Sequence, residues 1–242
     1  TGLIGKVCLQ KCHRLPVAVQ SLAHDGFDAG QTCIAPDYLL IHRDVKEQFI
    51  SEFAKAIDEL HGKDIVRSDH YVRMVSDSAF RRVCGYLRDG TVRYGGRVEP
   101  TERFIEPTLL DCVAVDSPVM REEIFGPVLP MVEIESVDQA IEFINQREKP
   151  LALYVFASER DAKRVIAQTS SGGACVNDVI MHIANEYLPF GGVGNSGMGR
   201  YHGRDSLYAF SHRRSVLKTS TKIDLPFRYM PYRWFRWIKR LL

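Results

Sequence analysis

The sequence predicts an α/β fold, a parallel sheet with flanking helices, on three observations. From residue 128 onward, apolar runs alternate with amphipathic segments in β-α-β-α-β order. Strands joined by helix-length segments pair in parallel, because each crossover returns the chain to the same end of the sheet. The run 151–156 is apolar at every position, as a strand covered on both faces is. Each helix predicted in this stretch opens on a serine, whose hydroxyl can accept from a first-turn N–H that has no helical partner.

Helical spacing of Phe49, Phe53, Ile57 and Leu60 predicts a helix over about 45–61. Asp44 with Glu47 resembles a capping box, and Gly62 is a suitable stop. A second helix is expected over 77–88, with Phe80, Val83, Cys84 and Leu87 facing inward. Val128–Ile134 reads as a strand. Ser136 opens a helix reaching about 147, with Ala140, Ile141 and Ile144 inward. After the strand at 151–156, Ser158 with Asp161 caps a helix to about 169, with Ala162, Val165 and Ile166 inward. Gly173–Val176 reads as a further strand. Residues 185–205 are glycine-rich and are expected to form an ordered loop. The segment 228–242 carries Arg228, Arg233, Arg236, Lys239 and Arg240 and no acid, with Trp234, Trp237, Ile238 and Leu241 at helical spacing.

Composition narrows the function classes. The 242 residues are 45% hydrophobic and 26% charged, with a net charge of +2. That is ordinary for a globular chain and argues against nucleic acid as a partner of the whole molecule. The six cysteines, at 8, 12, 33, 84, 112 and 175, include no C-x-x-C pair. Neither a zinc ribbon nor a thioredoxin-like motif is supported, no metal ligands are assigned, and reduced thiols of a cytoplasmic protein are expected. No apolar run reaches the length of a membrane-spanning helix. The start, Thr1-Gly-Leu-Ile-Gly-Lys6, has neither an initiator Met nor a secretory apolar region, and is expected to lie within a longer sequence or to result from processing or cutting.

The motif with the most chemical content is Phe27-Asp-Ala-Gly-Gln-Thr-Cys33-Ile-Ala-Pro-Asp-Tyr38. Small residues at Ala29, Gly30 and Thr32 allow a tight turn that exposes Cys33, and an exposed thiolate is a nucleophile for carbonyl carbon. A lone cysteine is more often a small buried hydrophobe, and Cys8, Cys12, Cys84, Cys112 and Cys175 take that reading. The stretch is similar to the nucleophile loop of aldehyde dehydrogenases, in the form of the class 3 branch that oxidises fatty and aromatic aldehydes. Glu122-Glu-Ile-Phe-Gly-Pro127 resembles that family's cofactor-contact motif. Leu188-Pro-Phe-Gly-Gly-Val-Gly-Asn-Ser-Gly-Met-Gly-Arg-Tyr-His-Gly203 resembles its C-terminal loop. Asn145-Gln-Arg-Glu-Lys-Pro-Leu-Ala-Leu-Tyr154 and Ser171-Gly-Gly-Ala-Cys-Val-Asn-Asp178 match between them. The resemblance runs from about 27 to 217.

It implies the aldehyde dehydrogenase catalytic domain without most of the Rossmann-like cofactor domain. Residues 1–26 would be a degenerate remnant of the preceding segment, 27–217 the catalytic domain, and 218–242 a basic aromatic tail. The implied reaction is oxidation of an aldehyde to a carboxylic acid with NAD or NADP, through a thiohemiacetal and a thioester on Cys33. The Cys33 N–H would be one oxyanion donor. Glu123 would hold the nicotinamide ribose hydroxyls and Phe125 would wall the nicotinamide; a surface carboxylate is the plainer reading of Glu123. Asn177, His182 and Phe190 are candidates for the substrate channel, with satisfied packing as the alternative. Gly192-Val-Gly194-Asn-Ser-Gly197 fits G-x-G-x-x-G. It is rejected as a dinucleotide fingerprint, because no apolar strand leads into it and no acid follows about 20 residues on.

The chain departs from the family pattern before Cys33. The family's general base is a glutamate a few dozen residues upstream of the nucleophile, whereas the first glutamate here is Glu47, and only Asp25 and Asp28 are acidic before Cys33. Thr1 to Lys6 resembles either the degraded base motif, with Gly2 near the glutamate position, or a turn further upstream. Asp28 stands where asparagine is usual, and the oxyanion asparagine would precede Thr1. Weak cofactor affinity, slow deacylation and an uncovered sheet surface are the expected consequences. The alternative is a catalytically inactive relic acting as an interaction domain; a cofactor-independent thiol esterase using Cys33 is a third. By resemblance a homo-oligomer is expected, with 206–218 supplying a pairing strand. The tail would lie on an anionic membrane surface, or dock on its own domain or a partner subunit.

Overall fold

A computed structural model describes residues 5–9, 18–19, 22–23, 29–224, 230 and 239–240. The chain divides into two compact units, Thr1–Ala209 and Phe210–Leu242. In the first, β1 (Gly5–Leu9) precedes β2 (Pro36–His42), which runs directly into α1 (Arg43–His61). Then follow α2 (Asp77–Tyr86), β3 (Thr91–Tyr94), the short β4 (Val98–Glu99) and β5 (Phe104–Ile105), β6 (Thr108–Asp111) and the single turn α3 (Pro118–Arg121). The regular part is β7 (Val128–Ile134), α4 (Val137–Asn145), β8 (Ala152–Phe156), α5 (Glu159–Gln168) and β9 (Gly173–Val176). Two short helices, α6 (Met181–Ala184) and α7 (Gly203–Ala209), close the unit.

The main sheet has seven strands in the order β3-β6-β7-β2-β1-β8-β9. Every neighbouring pair is parallel except β3 with β6 at one edge. The parallel α/β expectation is thus met, with one antiparallel addition. The strands that are consecutive in the regular part do not all meet. β2 and β1 lie between β7 and β8, and β1 pairs Val7 with both Leu39 and Tyr154.

Side-chain alternation sorts the core into two layers. Leu39, Ile41, Tyr154 and Phe156 face one way and pack with Phe49, Phe53 and Ile57 of α1. Tyr38, Leu40, Leu153 and Val155 face the other and pack with α2, α4 and α5. Both faces of β8 are covered, and all five of its residues are buried, which is why its sequence shows no polar alternation.

Several helix ends follow the local chemistry. Ser136 accepts from the Gln139 N–H, and Ser158 from the Asp161 N–H, so both predicted serine caps form. Gly62, at φ +75°, donates its N–H to Asp58 O and ends α1. Other expectations are corrected. The cap of α1 is His42, whose Nδ1 accepts from Asp44 N–H. Glu47 is drawn away from a capping role by a bidentate pair with Arg93, at 2.8 and 3.0 Å. Ile166 is 39% exposed, because α5 turns only Ala162 and Val165 fully inward. Within the single chain, α7 takes the first residues of 206–218, and 210–224 contain neither helix nor strand. An extended segment becomes a strand only by pairing. The helical spacing seen in 228–242 lies outside the described residues apart from 230, 239 and 240.

Candidate active site

The Cys33 loop is built from strained backbone and tight contacts. Ala29 and Gly30 both have positive φ, +48° and +66°. A Cβ on Gly30 would lie 2.4 Å from the carbonyl oxygen of Gly126, so the two backbones touch at a place where only glycine fits. Next, Ala35 N–H donates to Thr32 O at 2.9 Å. This closes a β-turn with Cys33 and Ile34 at its centre. Cys33 is exposed and in its free thiol form, while the Ile34 side chain is buried. The Cys33 N–H has no acceptor among the described residues. Gln31 ties the loop sideways, donating to Arg73 O at 3.2 Å and accepting from Val75 N–H at 2.9 Å.

The loop carrying Glu123 is held against the strand that follows Cys33. Ile124 N–H donates to the buried Asp37 carboxylate at 2.8 Å. From the other side, the Arg82 guanidinium of α2 donates to Glu123 O at 2.9 Å and Ile124 O at 2.8 Å. Arg82 also donates to Tyr86 Oη, which in turn donates to a Glu122 carboxylate oxygen at 2.5 Å. Burial, with the Glu122 contact, pushes the Tyr86 hydroxyl up to about 12. Phe125 is half-buried at φ +46°. Gly126 follows it where a Cβ would meet Val83 at 2.7 Å. The Glu123 carboxylate receives no hydrogen bond from the described residues. Burial raises its pKa and the Arg82 charge works against that rise.

The remaining candidates lie at the end of β8 and β9. Asn177, at φ +57°, donates its N–H to Val155 O at 2.8 Å, and its buried Oδ1 has no partner among the described residues. His182 is 8% exposed. Its Nδ1 sits 3.3 Å from Cys175 Sγ, while its buried Nε2 has no partner among the described residues. Burial lowers its pKa, so the neutral ring is favoured. Gly173 makes room for it, since a Cβ there would come within 2.6 Å of the ring. The His182 ring is 6.0 Å from Tyr154 and 5.8 Å from Phe190, centroid to centroid. Phe190 is buried and bridges Tyr201 through two backbone hydrogen bonds. Tyr154 Oη donates to Ile34 O at 2.7 Å. The structure therefore joins the Cys33 turn to the Glu123 loop, and joins His182 and Phe190 to the underside of that turn through Tyr154.

The sequence reading missed Arg82, Asp37, Tyr154 and Gln31. Arg82 beside Arg81 reads as a solvated pair, and Tyr154 reads as one more apolar strand position. Asp37 inside the apolar run 34–41 is the one signal that was legible, because a carboxylate there needs a donor. The cysteine expectation is corrected in part. Cys84 and Cys175 are half-buried, with burial raising both thiols, but Cys112 is exposed, at φ +53°. The side chains of Cys8 and Cys12 lie outside the described ones. Gly194–Ser196 is a 3-10 turn in which Ser196 Oγ accepts from Val193 N–H and donates to Val193 O. It is a closed loop with no strand entering it.

The family model for the aldehyde dehydrogenase family matches residues 10–216. A rat dimeric NADP-preferring aldehyde dehydrogenase is 50% identical over 208 residues, covering 85% of this chain and 46% of the relative. The 4,4'-diaponeurosporen-aldehyde dehydrogenase of Staphylococcus aureus is 44% identical over 238 residues, 96% of this chain and 52% of the relative. A substrate-bound structure of Staphylococcus aureus AldH superposes with a TM-score of 0.87 at 42% identity, covering all of this chain and 54% of that one. The chain thus spans about half the length of these relatives.

Proposed function

The chain belongs to the aldehyde dehydrogenase family, and on that premise we propose that it carries the nucleophile, Cys33, of an aldehyde-oxidising site that uses NAD or NADP. The observation that supports this most is the exposed Cys33 at the centre of a turn whose backbone is bonded on three sides. The Cys33 thiolate adds to the aldehyde carbon, forming a C–S bond and leaving an oxyanion. The Cys33 N–H, with no protein acceptor among the described residues, is available to that oxyanion.

The residues present fit part of a dinucleotide site. Glu123 offers two acceptor oxygens that no described side chain or N–H uses, which suits a ribose diol. Phe125 would wall the ring beside it. When bound, NAD(P) supplies the hydride acceptor. Arg82 and Asp37 hold the Glu123 loop at a fixed distance from the Cys33 strand. Asn177, His182 and Phe190 complete the proposal as the wall beneath the substrate.

Hydrolysis of the Cys33 thioester needs a base for the attacking water. No glutamate stands among residues 1–32. Without a base supplied from elsewhere the thioester would be released slowly, and the second reading, an inactive chain serving as an interaction domain, would hold. We assign 1–26 as a remnant of the preceding segment, 27–217 as the catalytic domain and 218–242 as the tail. The protein works in the cytoplasm as a homo-oligomer, with the tail able to rest on an anionic membrane. Sedimentation with anionic liposomes, comparing the full chain with one ending at 226, tests that last point; equal binding rejects it.

The central test mixes the purified chain with NAD(P) and a long-chain or aromatic aldehyde and follows the absorbance of the reduced cofactor. Reduction that disappears in Cys33→Ala supports the enzyme. A chain that neither reduces cofactor nor forms a covalent adduct at Cys33 by mass spectrometry supports the inactive reading.

A further inference from the structure

The peptide between Ile34 and Ala35 is bonded at both ends. Its N–H closes the Cys33 turn onto Thr32 O at 2.9 Å, and its carbonyl, Ile34 O, accepts from Tyr154 Oη at 2.7 Å in a buried setting. A donor on the carbonyl polarises the amide and strengthens the bond made by its N–H. The turn is further fixed by the Ile34 side chain, which is buried beside it.

Tyr154 is itself enclosed on all sides. It is fully buried in β8, in register with Val7 of β1 on one side and Cys175 of β9 on the other. The edge of its ring meets His182, which Cys175 and the open face of Gly173 keep in place. Tyr154 therefore connects the buried centre of the sheet to the peptide that closes the Cys33 turn.

Resting on the reading that Cys33 is the nucleophile, we propose that Tyr154 is a positioning residue for it. Through the Ile34–Ala35 peptide, Tyr154 sets the direction of the Cys33 side chain and of the Cys33 N–H. Attack on a carbonyl depends on both directions at once, because the thiolate must meet the carbon while the N–H meets the oxygen. Simple alkylation depends on neither, only on an exposed, ionised thiol.

Tyr154→Phe keeps the ring and removes the hydroxyl. Two reactions are followed at Cys33 in the full chain. With p-nitrophenyl acetate the thiolate adds to the ester carbonyl, nitrophenolate leaves and Cys33 becomes an acetyl thioester. With iodoacetamide the sulfur displaces iodide and forms a thioether. The proposal expects acylation to fall about tenfold or more in Tyr154→Phe, while alkylation changes by less than about twofold. Unchanged acylation, or an equal loss in both reactions, overturns it, the second outcome marking a purely structural role. If Tyr154→Phe does not fold, 3-fluorotyrosine at 154 takes its place as a stronger donor of nearly equal size. The two rates must then diverge again, and parallel rates overturn the proposal. If the unaltered chain is acetylated no faster than Cys33→Ala, the nucleophile reading itself fails and takes this one with it. If Cys33 is acetylated but Tyr154→Phe keeps pace, only the role of Tyr154 is lost.

Discussion

At the scale of single residues, the site depends on atoms that leave no room. Gly30 combines a positive φ with a carbonyl 2.4 Å from its missing Cβ. Gly30→Ala therefore meets both backbone strain and a clash with main chain that has no rotamer to escape into. We expect a loss of more than about 2 kcal/mol, read as a lower urea midpoint. Gly62→Ala is the control: its φ is +75° with ψ 172°, but none of the described residues lies within 4 Å of an added Cβ, so the backbone cost, about 1–3 kcal/mol, should appear without a clash added to it. Equal losses at the two positions would remove the argument that Gly30 is squeezed by Gly126.

Asp111 provides a residue-scale dependence on pH. Burial alone would raise its carboxyl, but Lys46, the Cys112 N–H and Arg93 outweigh that and leave it lower than usual. A carboxyl lowered in the folded state contributes stability that is complete above its unfolded pKa and is lost as pH falls through the folded one. Lys46 is raised, despite its desolvation, by Glu133 and Asp111, so its share is lost only as pH rises through its folded value. Asp111→Asn should cost about 2 kcal/mol at neutral pH, because it leaves Lys46 short of a buried partner. It should also flatten the acid limb of stability against pH. An unchanged acid limb in urea titrations would assign it to other groups.

At the scale of elements, α2 acts on the site at a distance. Its Arg82 fork spans two successive carbonyls, at Glu123 and Ile124, a geometry that a lysine cannot reproduce. Arg82→Lys should loosen the 122–127 loop, seen as faster hydrogen exchange at the Ile124 amide, while the sheet amides stay protected. Exchange that is unchanged at Ile124 would show that Asp37 holds the loop by itself. The helix caps read from sequence are worth a comparable check. Ser158→Ala removes the acceptor for Asp161 N–H and should lower stability by about 1 kcal/mol.

At the scale of the whole molecule, the first unit shows large apolar side chains to solvent. Tyr187 is 84% exposed and Met198 97%, with Leu188 and Leu207 exposed nearby in sequence. Exposed apolar groups in such number favour contacts with other protein. We expect the isolated chain to associate as its concentration rises, and Tyr187→Ser with Met198→Ser to shift sedimentation toward the monomer. A monomer at all concentrations before substitution would reject the homo-oligomer. The double substitution reports on that surface directly.

Local sequence determined what local physics controls. Serine caps, the glycine stop of α1, the unbroken apolar run of β8 and the length of β7 were all legible, because each depends on neighbours within a few residues. So was the tight turn at Cys33, whose positive-φ positions are the small residues Ala29 and Gly30. What the tertiary structure decided depends on residues far apart in sequence. It placed β2 and β1 between β7 and β8, turned Glu47 from a cap into a partner of Arg93, and set the Tyr154 hydroxyl on the carbonyl behind Cys33. A side chain 120 residues from its partner leaves no periodicity to read, since only the folded sheet brings the two within hydrogen-bond reach.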